Sequence, residues 1–308
     1  MAHIRTYNSR VRVGNWNEDV TLQEETLRDF ILLKDRGELA VQKEGALKQN
    51  ILSPVSLSVS PDGFLHFGDT VMLVNPGGGD IEQRVACVLS IIADRSNVSS
   101  QTHSDLRLTG PLQVGGATSM DPCVRNAFIV TSVDGSPVGE VVRYDQNFAL
   151  KTTGGFTGQL FLSSDHKSFL KCAKKSRLQE LSLVQELDFL CWWKIIYFQP
   201  QERFENEGSP VQVNIKVLIR HCKTNQCLAA LGNHILTPFG KEYELTAHTF
   251  IDSHKAERDN NHWLAVTAHP ANHNKSLLQR IQDSATTEEQ MESQENTQVK
   301  DSDSTPQM

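Results

Sequence analysis

Two cysteines and a histidine form the pattern that comes nearest to a metal site. Cys222 and Cys227 are separated by four residues, and His221 precedes the first of them. A structural zinc site needs four ligands, and the chain offers no second pair at ligand spacing. The polar residues between the two cysteines favour a hairpin turn. We therefore predict reduced cysteines on facing strands, with no metal and no cofactor.

The segment Ser163-Ser164-Asp165-His166 contains the residue types of a hydrolytic triad. Residues adjacent in sequence seldom converge in space as a triad, and the chain has no G-x-S-x-G nucleophile elbow. The glycine clusters at 76–80 and 151–155 lack the G-x4-G-K-[ST] arrangement that cradles phosphates, so they are predicted to be turns between strands. These patterns favour a protein that is not an enzyme and has no small-molecule substrate.

The charge distribution argues against several kinds of partner. The 308 residues carry a formal net charge of −7. From residue 283 onward, seven acidic residues and Lys300 contribute −6, so the remainder carries −7 − (−6) = −1. A nearly neutral body lacks the broad basic surface of a nucleic-acid binder. No apolar run approaches the roughly 18 residues of a membrane span, and six cysteines without a secretion signal favour reduced thiols in the cytoplasm.

The N-terminal region is predicted to contain an arm followed by helices. Residues 1–20 lack apolar periodicity and are expected to be extended, with Trp16 packing either on its own domain or on a partner. Thr21 and Glu24 match a capping box, and a helix should run from there to Gly37. A second helix is expected over 39–49.

Beyond residue 55 the apolar pattern changes to the alternation of β-strands. Segments 67–73, 144–150 and 213–219 share one template, with apolar residues at the first, fifth and seventh positions. The steps between the copies are 77 and 69 residues. Three copies at nearly even spacing indicate one supersecondary unit used three times.

Each unit offers about four strands and ends with an aromatic residue, namely Phe128, then Trp192 or Trp193, then Trp263. Residues 178–184 read as a strand, with a short helix as the alternative. The fold class is therefore predicted to be mainly β, with three repeated four-strand units forming a β-trefoil-like core; an all-β sandwich is the competing arrangement. The predicted regions are an N-terminal arm and helices at 1–54, a β core at 55–270 and a disordered acidic tail at 271–308. Within the core, the units are expected at about 64–132, 141–197 and 211–267, with a long polar insertion at 93–121.

Several short motifs stand out, namely Val11 to Val20, Leu47-Lys48-Gln49-Asn50, Gly68 to Pro76, Thr153-Gly154-Gly155-Phe156, Leu162 to His166, Phe239-Gly240-Lys241-Glu242, Ala247-His248-Thr249 and Asp252-Ser253-His254. Together they resemble the cilia- and flagella-associated protein 161 family. The resemblance extends from about residue 11 to 267 and is not carried to 81–122 or to the acidic tail. It implies a microtubule inner protein in the lumen of axonemal doublet microtubules, in cilia and flagella, without enzymatic activity. It also implies contacts with tubulin and with neighbouring inner proteins.

The strand units also resemble β-trefoils of the MIR type, as in inositol trisphosphate receptors. No concentrated Arg/Lys phosphate pocket is evident, so ligand binding is not transferred. The leading hypothesis is a structural protein that stabilises doublet microtubules and supports motility, with no nucleic-acid or membrane partner. The alternative is a soluble β-trefoil module that binds a sugar or an inositol phosphate. The predicted partner-binding residues are Arg12, Gly14, Asn15, Trp16, Asn17, Glu18, Asp19, Lys174 and Lys175.

Overall fold

A computed structural model describes residues 16–77, 85–100 and 106–268 of the chain. The helices are α1 (Trp16–Asp35), α2 (Ala40–Ile51) and the single turn α3 (Arg203–Asn206). The strands are β1 (Thr70–Asn75), β2 (Cys87–Ile92), β3 (Val98–Ser100), β4 (Leu106–Leu108), β5 (Leu112–Ala117), β6 (Phe128–Ser132), β7 (Asn147–Thr152), β8 (Phe161–Ser164), β9 (Leu181–Val184), β10 (Trp193–Tyr197), β11 (Lys216–His221), β12 (Leu228–Thr237), β13 (Gly240–Ala247) and β14 (His262–Val266). The prediction of a mainly β protein is confirmed, and the acidic tail lies outside the described residues.

Helix α1 begins five residues before the predicted capping box. The expected extended arm is therefore wrong for residues 16–20, and Thr21 is an interior residue. Glu18 and Asp19 place negative charge in the first turn, which favours a helix start at this point. The predicted end is confirmed, because Gly37 has a φ of +71° and the N–H of Glu38 donates to the carbonyl of Leu33 at 2.9 Å.

Helix α2 attaches the N-terminal region to the β body. Leu47 and Ile51, one turn apart, are both buried, at 2 % and 0 % exposure. Leu47 packs in the main core cluster together with buried residues of the strands. The predicted second helix is thus confirmed, and it docks on the body through one face.

Six strands close into an antiparallel ring. Going round, β1 pairs with β6, β6 with β7, β7 with β10, β10 with β11, β11 with β14, and β14 with β1. The other strands of this sheet form the pairs β2–β5, β8–β9 and β12–β13, and β5 also pairs with β9 and β13. A closed ring leaves no free edge within it, which removes the usual route to edge-to-edge association.

The second residue of each predicted repeat adopts the same uncommon backbone conformation. Gly68, Asp145 and Asn214 have φ values of 96°, 66° and 61°. Glycine, aspartate and asparagine are the residues that tolerate positive φ. Their N–H groups donate to carbonyls of the ring strands β6, β10 and β14, at Val130 (2.7 Å), Ile195 (2.8 Å) and Ala265 (3.0 Å). A turn of the same backbone conformation therefore precedes each of β1, β7 and β11.

Three buried residues link the ring through a cycle of backbone hydrogen bonds. Leu65 donates to Val211 at 2.9 Å, Val211 donates to Val142 at 2.9 Å, and Val142 donates to Leu65 at 2.7 Å. All three are at most 1 % exposed. The segments preceding β1, β7 and β11 thus meet at one point and hold one another.

Aromatic residues of the later ring strands fill the core, as predicted. Phe128, Trp193 and Trp263 are each 0 % exposed, so the choice between Trp192 and Trp193 falls on Trp193. The indole Nε1–H of Trp193 donates to Leu162 at 2.9 Å, and that of Trp263 donates to Leu228 at 3.0 Å. Both donors are satisfied inside the core, which is the condition for burying tryptophan fully.

The polar insertion predicted at 93–121 is wrong for residues 112–117. These residues form β5, which pairs with β2 over five positions and is mostly buried. Gly115 and Gly116 concealed the strand in the sequence because they interrupt the apolar alternation. A Cβ on Gly116 would lie 3.0 Å from the sulfur of Cys87, so glycine here allows the neighbouring strands to approach.

Two smaller expectations also have an outcome. The alternating segment 55–59, expected to be a strand, makes only isolated bridges through Pro54 and Val59. Residues 181–184 form β9, so the strand interpretation of that segment is confirmed rather than the helical one.

Candidate partner-binding surfaces

Most of the predicted contact residues lie at or before the start of α1. Trp16 and Asn17 open the helix, and only their backbone is described. Glu18 and Asp19 occupy the first turn with exposed side chains. The remaining three, Arg12, Gly14 and Asn15, lie outside the described residues. Whether Trp16 packs on its own domain or on a partner stays a prediction.

Helix α1 presents an apolar stripe at helical spacing. Leu27, Phe30 and Ile31 follow at i, i+3 and i+4, and they are 58 %, 49 % and 46 % exposed. From residue 18 to 36, every side chain except that of Val20 is exposed. The helix therefore does not bury its stripe against the β body, and the stripe is free for contact with another molecule.

The other predicted contact residues, Lys174 and Lys175, lie in the loop between β8 and β9 with exposed side chains. The backbone beneath them is held by Glu244 of β13. Its carboxylate accepts the N–H groups of Lys175 at 2.8 Å and Ser176 at 2.9 Å. Glu244 is only 3 % exposed, so the two bonds satisfy a buried charged group and hold the lysines at the surface.

A surface cleft of about 470 Å³ adjoins the two lysines. Its walls combine charged and apolar side chains, among them Asp94, Gln113, Ile235 and Leu236. The hairpin β12–β13, the strands β2 and β5 and the segment 93–97 supply most of this lining, so residues from distant parts of the chain meet here.

Arg125 forms a buried ion pair with Glu242, which no sequence pattern indicated. This contact links β13 to β2 beside the cleft. The Arg125 guanidinium contacts the carboxylate of Glu242 on β13, and its Nε–H donates to Ile91 of β2 at 2.7 Å. The guanidinium also lies over the Phe239 ring, 4.0 Å from its centroid. Arginine and glutamate rarely stay buried without such pairing. The contact joins residues 117 positions apart, and no local pattern indicates it.

The residues considered for hydrolysis have other contacts. The Ser164 hydroxyl donates to the Glu180 carbonyl at 2.7 Å and accepts from Gln179 at 2.8 Å. His166 is exposed, and its Nδ1 lies 3.8 Å from Asp165. A triad requires the serine hydroxyl to donate a hydrogen bond to a histidine, whereas the Ser164 hydroxyl donates to a backbone carbonyl. Ser164, Asp165 and His166 are therefore not arranged as an acyl-transfer triad.

The residues considered for zinc are also engaged in the fold. His221 Nε2 donates to the Leu190 carbonyl at 2.9 Å, which leaves Nδ1 to accept from the Thr224 hydroxyl at 2.9 Å. Burial is the main cause that lowers the pKa of His221, so the ring is neutral. Cys222 Sγ lies 3.2 Å from Asn147, and Cys227 is buried opposite Arg220. The predicted hairpin between the two cysteines is confirmed, and all six cysteines are free thiols.

Among residues 16–77, 85–100 and 106–268, no three His, Cys, Asp or Glu side chains are grouped as a metal site. In the same ranges, no helix combines the length and the apolar character needed to cross a bilayer.

The closed β core with a docked helical segment defines a mainly β protein that displays an exposed apolar stripe and a pair of exposed lysines. Comparison with known proteins gives the family. The model of the cilia- and flagella-associated protein 161-like domain matches residues 43–268. A *Danio rerio* cilia- and flagella-associated protein 161 is 76 % identical over 304 residues, covering 98 % of this chain and 99 % of the relative. The chain belongs to the cilia- and flagella-associated protein 161 family.

More distant relatives bear the same name. The *Bos taurus* protein is 44 % identical over 268 residues, covering 86 % of this chain and 83 % of its own length. The *Mus musculus* protein is 42 % identical over 280 residues, covering 88 % and 91 %. These matches confirm the resemblance noted from the motifs.

Solved structures are similar at a lower level. An SDF2-like protein from Arabidopsis thaliana matches with a TM-score of 0.46 and 16 % identity, over 66 % of this chain and 94 % of that one. A Caenorhabditis elegans protein of unknown function matches with a TM-score of 0.48 and 16 % identity, over 68 % and 98 %. Family membership therefore rests on the sequence matches.

Proposed function

We propose that this chain is a structural protein of the axoneme, bound as a microtubule inner protein in the lumen of doublet microtubules. It contacts tubulin and neighbouring inner proteins, stabilises the doublets and supports ciliary and flagellar motility. Its role is binding and not catalysis, in the cytoskeleton of the cilium and flagellum. Membership of a family named for cilia and flagella supports the location. The observation that carries the binding role is α1, whose apolar stripe is exposed along the helix.

The proposed core is a β-trefoil made of three four-strand units: β1, β2, β5 and β6, then β7 to β10, then β11 to β14. The closed ring, the three hairpin pairs and the cyclic hydrogen bonds of Leu65, Val142 and Val211 support this arrangement. The matching turns at Gly68, Asp145 and Asn214 support it as well. We retain 1–54, 55–270 and 271–308 as the proposed regions. Such a core provides a rigid platform for the attached contact surfaces.

Bulk electrostatics cannot provide the proposed affinity. The chain before residue 283 carries a net charge of −1, as derived above. Tubulin is acidic, so attraction must come from local basic groups, for which Arg12, Lys174 and Lys175 are the candidates. Residues 14–19 are proposed to contact a neighbouring protein together with the α1 stripe. Many small contacts repeated along a periodic lattice give high total occupancy even when each one is weak.

The test uses the full-length tagged protein in ciliated cells that lack the endogenous copy. We expect wild-type protein to stay with demembranated axonemes through salt washing, and a side-chain-resolution map of intact doublets to contain it in the lumen. Leu27→Ser with Phe30→Ser should lower the retained fraction by about tenfold, since two half-exposed apolar side chains lose their burial on the partner.

The matched control is Val41→Ser on α2, because Val41 is 82 % exposed but lies outside the stripe. It should be retained like wild type. Release of wild-type protein by moderate salt while the doublets remain intact would refute the lumenal position. Equal retention of the stripe variant and the control would remove α1 from the binding surface.

A further inference from the structure

Two consecutive apolar side chains stand almost fully exposed in the turn 168–171. Phe169 is 93 % exposed and Leu170 is 89 % exposed. Single exposed apolar residues are normal on protein surfaces, whereas an adjacent pair at the tip of one turn is a small continuous patch. Neither residue contributes to the core, so packing of this chain does not explain them.

The turn that carries them is held by its own hydrogen bonds. The N–H of Ser168 donates to the Lys171 carbonyl at 3.0 Å, and the N–H of Lys171 donates to the Ser168 hydroxyl at 3.0 Å. Lys171 Nζ also lies 3.7 Å from Asp165 at the base of the turn. A few residues further on, Glu244 holds the backbone of Lys175 and Ser176. These bonds hold the backbone of the turn, which lowers the entropy lost on binding.

The patch is surrounded by positive charge. Between residues 165 and 177 there are five lysine and arginine residues and one aspartate, so the segment carries 5 − 1 = +4 with histidine neutral. The chain before residue 283 carries −1, so this segment is a local basic region on a nearly neutral body. The basic residues are all exposed; they are Lys167, Lys171, Lys174, Lys175 and Arg177. We name residues 166–177 the basic anchor.

An apolar tip inside a basic rim is complementary to an apolar pocket inside an acidic rim. A protein surface fits better than a lipid surface, because the cleft of about 470 Å³ opens beside Lys174 and Lys175. A knob next to a cleft matches a contoured protein partner, whereas a bilayer has nothing to place in the cleft. Asp94 in the lining would also disfavour anionic headgroups there.

We propose that the basic anchor docks on the acidic tubulin lattice by inserting Phe169 and Leu170 into an apolar pocket with an acidic rim. This inference rests on the proposed function, which supplies tubulin as the acidic partner. The lysines guide the approach and set the dependence on salt, and the two apolar side chains provide most of the affinity.

The experiment measures pelleting of the full-length protein with microtubules, using purified tubulin polymerised in its presence so that both microtubule faces are accessible. Phe169→Ser with Leu170→Ser should weaken the apparent Kd by roughly 100-fold, because two fully exposed apolar side chains lose their burial. Phe169→Ser alone should weaken it about tenfold. The matched control is Phe204→Ser, since Phe204 is 87 % exposed on α3, away from the basic anchor. It should change Kd by less than about twofold. All of these positions are exposed, so thermal unfolding should be unchanged.

If wild-type protein pellets with microtubules and the double variant pellets with the same Kd, the proposed role of the basic anchor is refuted, while the proposed tubulin contact stands. Absence of wild-type pelleting removes the tubulin contact and the anchor together. A parallel arm uses vesicles of phosphatidylserine and phosphatidylcholine. Vesicle binding by wild type that the double variant loses, without any binding to microtubules, would assign the patch to a membrane and refute the protein partner.

Discussion

Replacing Glu244 with Gln tests the contact that holds the basic anchor on the β core. In the native protein the carboxylate accepts two backbone N–H groups while being 3 % exposed. A hydrogen bond to a charged acceptor contributes about 1.5–3 kcal/mol, and a neutral one about 1 kcal/mol. Glutamine keeps one oxygen acceptor and places an NH2 group opposite the other N–H. One bond is lost and the other is weakened, so we expect a loss of about 2–5 kcal/mol in the free energy of unfolding.

Urea unfolding, followed by the fluorescence of the buried Trp193 and Trp263, measures this loss. Hydrogen exchange at the amides of Lys175 and Ser176 reports the contact locally, and both amides should exchange faster in the variant. Lys175→Ala is the matched control, because it removes the side chain but keeps the N–H that Glu244 accepts. Its unfolding free energy should stay within about 0.5 kcal/mol of wild type.

The reasoning is refuted if Glu244→Gln unfolds at the same urea concentration as wild type and both amides keep their protection. If Lys175→Ala were as destabilising as Glu244→Gln, the lysine side chain would be the stabilising group instead of the backbone contact. With both expectations met, Glu244→Gln should also weaken microtubule pelleting, since the basic anchor would no longer be held in one conformation.

Two further predictions concern pH and the repeated turn. The folded-state pKa of His221 is lowered by burial, below its usual 6.5, so the unfolded chain binds a proton that the folded chain does not as pH falls below 6.5. As pH falls below 6.5, the free energy of unfolding should decrease by up to about 1.4 kcal/mol per pH unit. Urea titrations from neutral to mildly acidic pH should show that His221→Gln depends less steeply on pH than wild type. Equal pH dependence of the two proteins would contradict this. Gly68→Ala should lower the free energy of unfolding by about 2–4 kcal/mol, because φ is +96° and the new Cβ would lie 2.5 Å from Val138. At the corresponding turn, Asn214→Gly should have a free energy of unfolding within about 1 kcal/mol of wild type. Comparable thermal midpoints for these two variants would contradict the strain expected at Gly68.

The repeated strand template was predictable because alternation is a local property. Phe67, Val71 and Leu73 are all buried in the main core cluster, and the alternate residues Met72 and Val74 are buried in a second cluster on the other face of β1. The second position of each copy holds Gly, Asp or Asn, residue types that favour turns and tolerate the positive φ found there. Strand β5 was missed for the same reason, since Gly115 and Gly116 have no side chains to show an alternation.

The predicted contact residues divide along similar lines. Lys174 and Lys175 were recognised from a local cluster of charge, and the structure does expose them. Phe169 and Leu170 were not recognised, because an apolar pair in a polar loop reads equally well as core or surface. Exposure depends on what the rest of the chain covers, and a loop sequence does not contain that information.

By itself, the sequence determined the family, the mainly β class, the second helix and the core positions of the repeated strands. Each follows from residue types, or from the spacing of apolar residues within a single helix or strand. Only the tertiary structure decided the closure of the six-strand ring and the exposure of the α1 stripe. The same holds for the hydrogen bond between Glu244 and the backbone of Lys175, 69 residues away. Those features require groups far apart in the chain to meet, and their positions depend on the packing of the whole core.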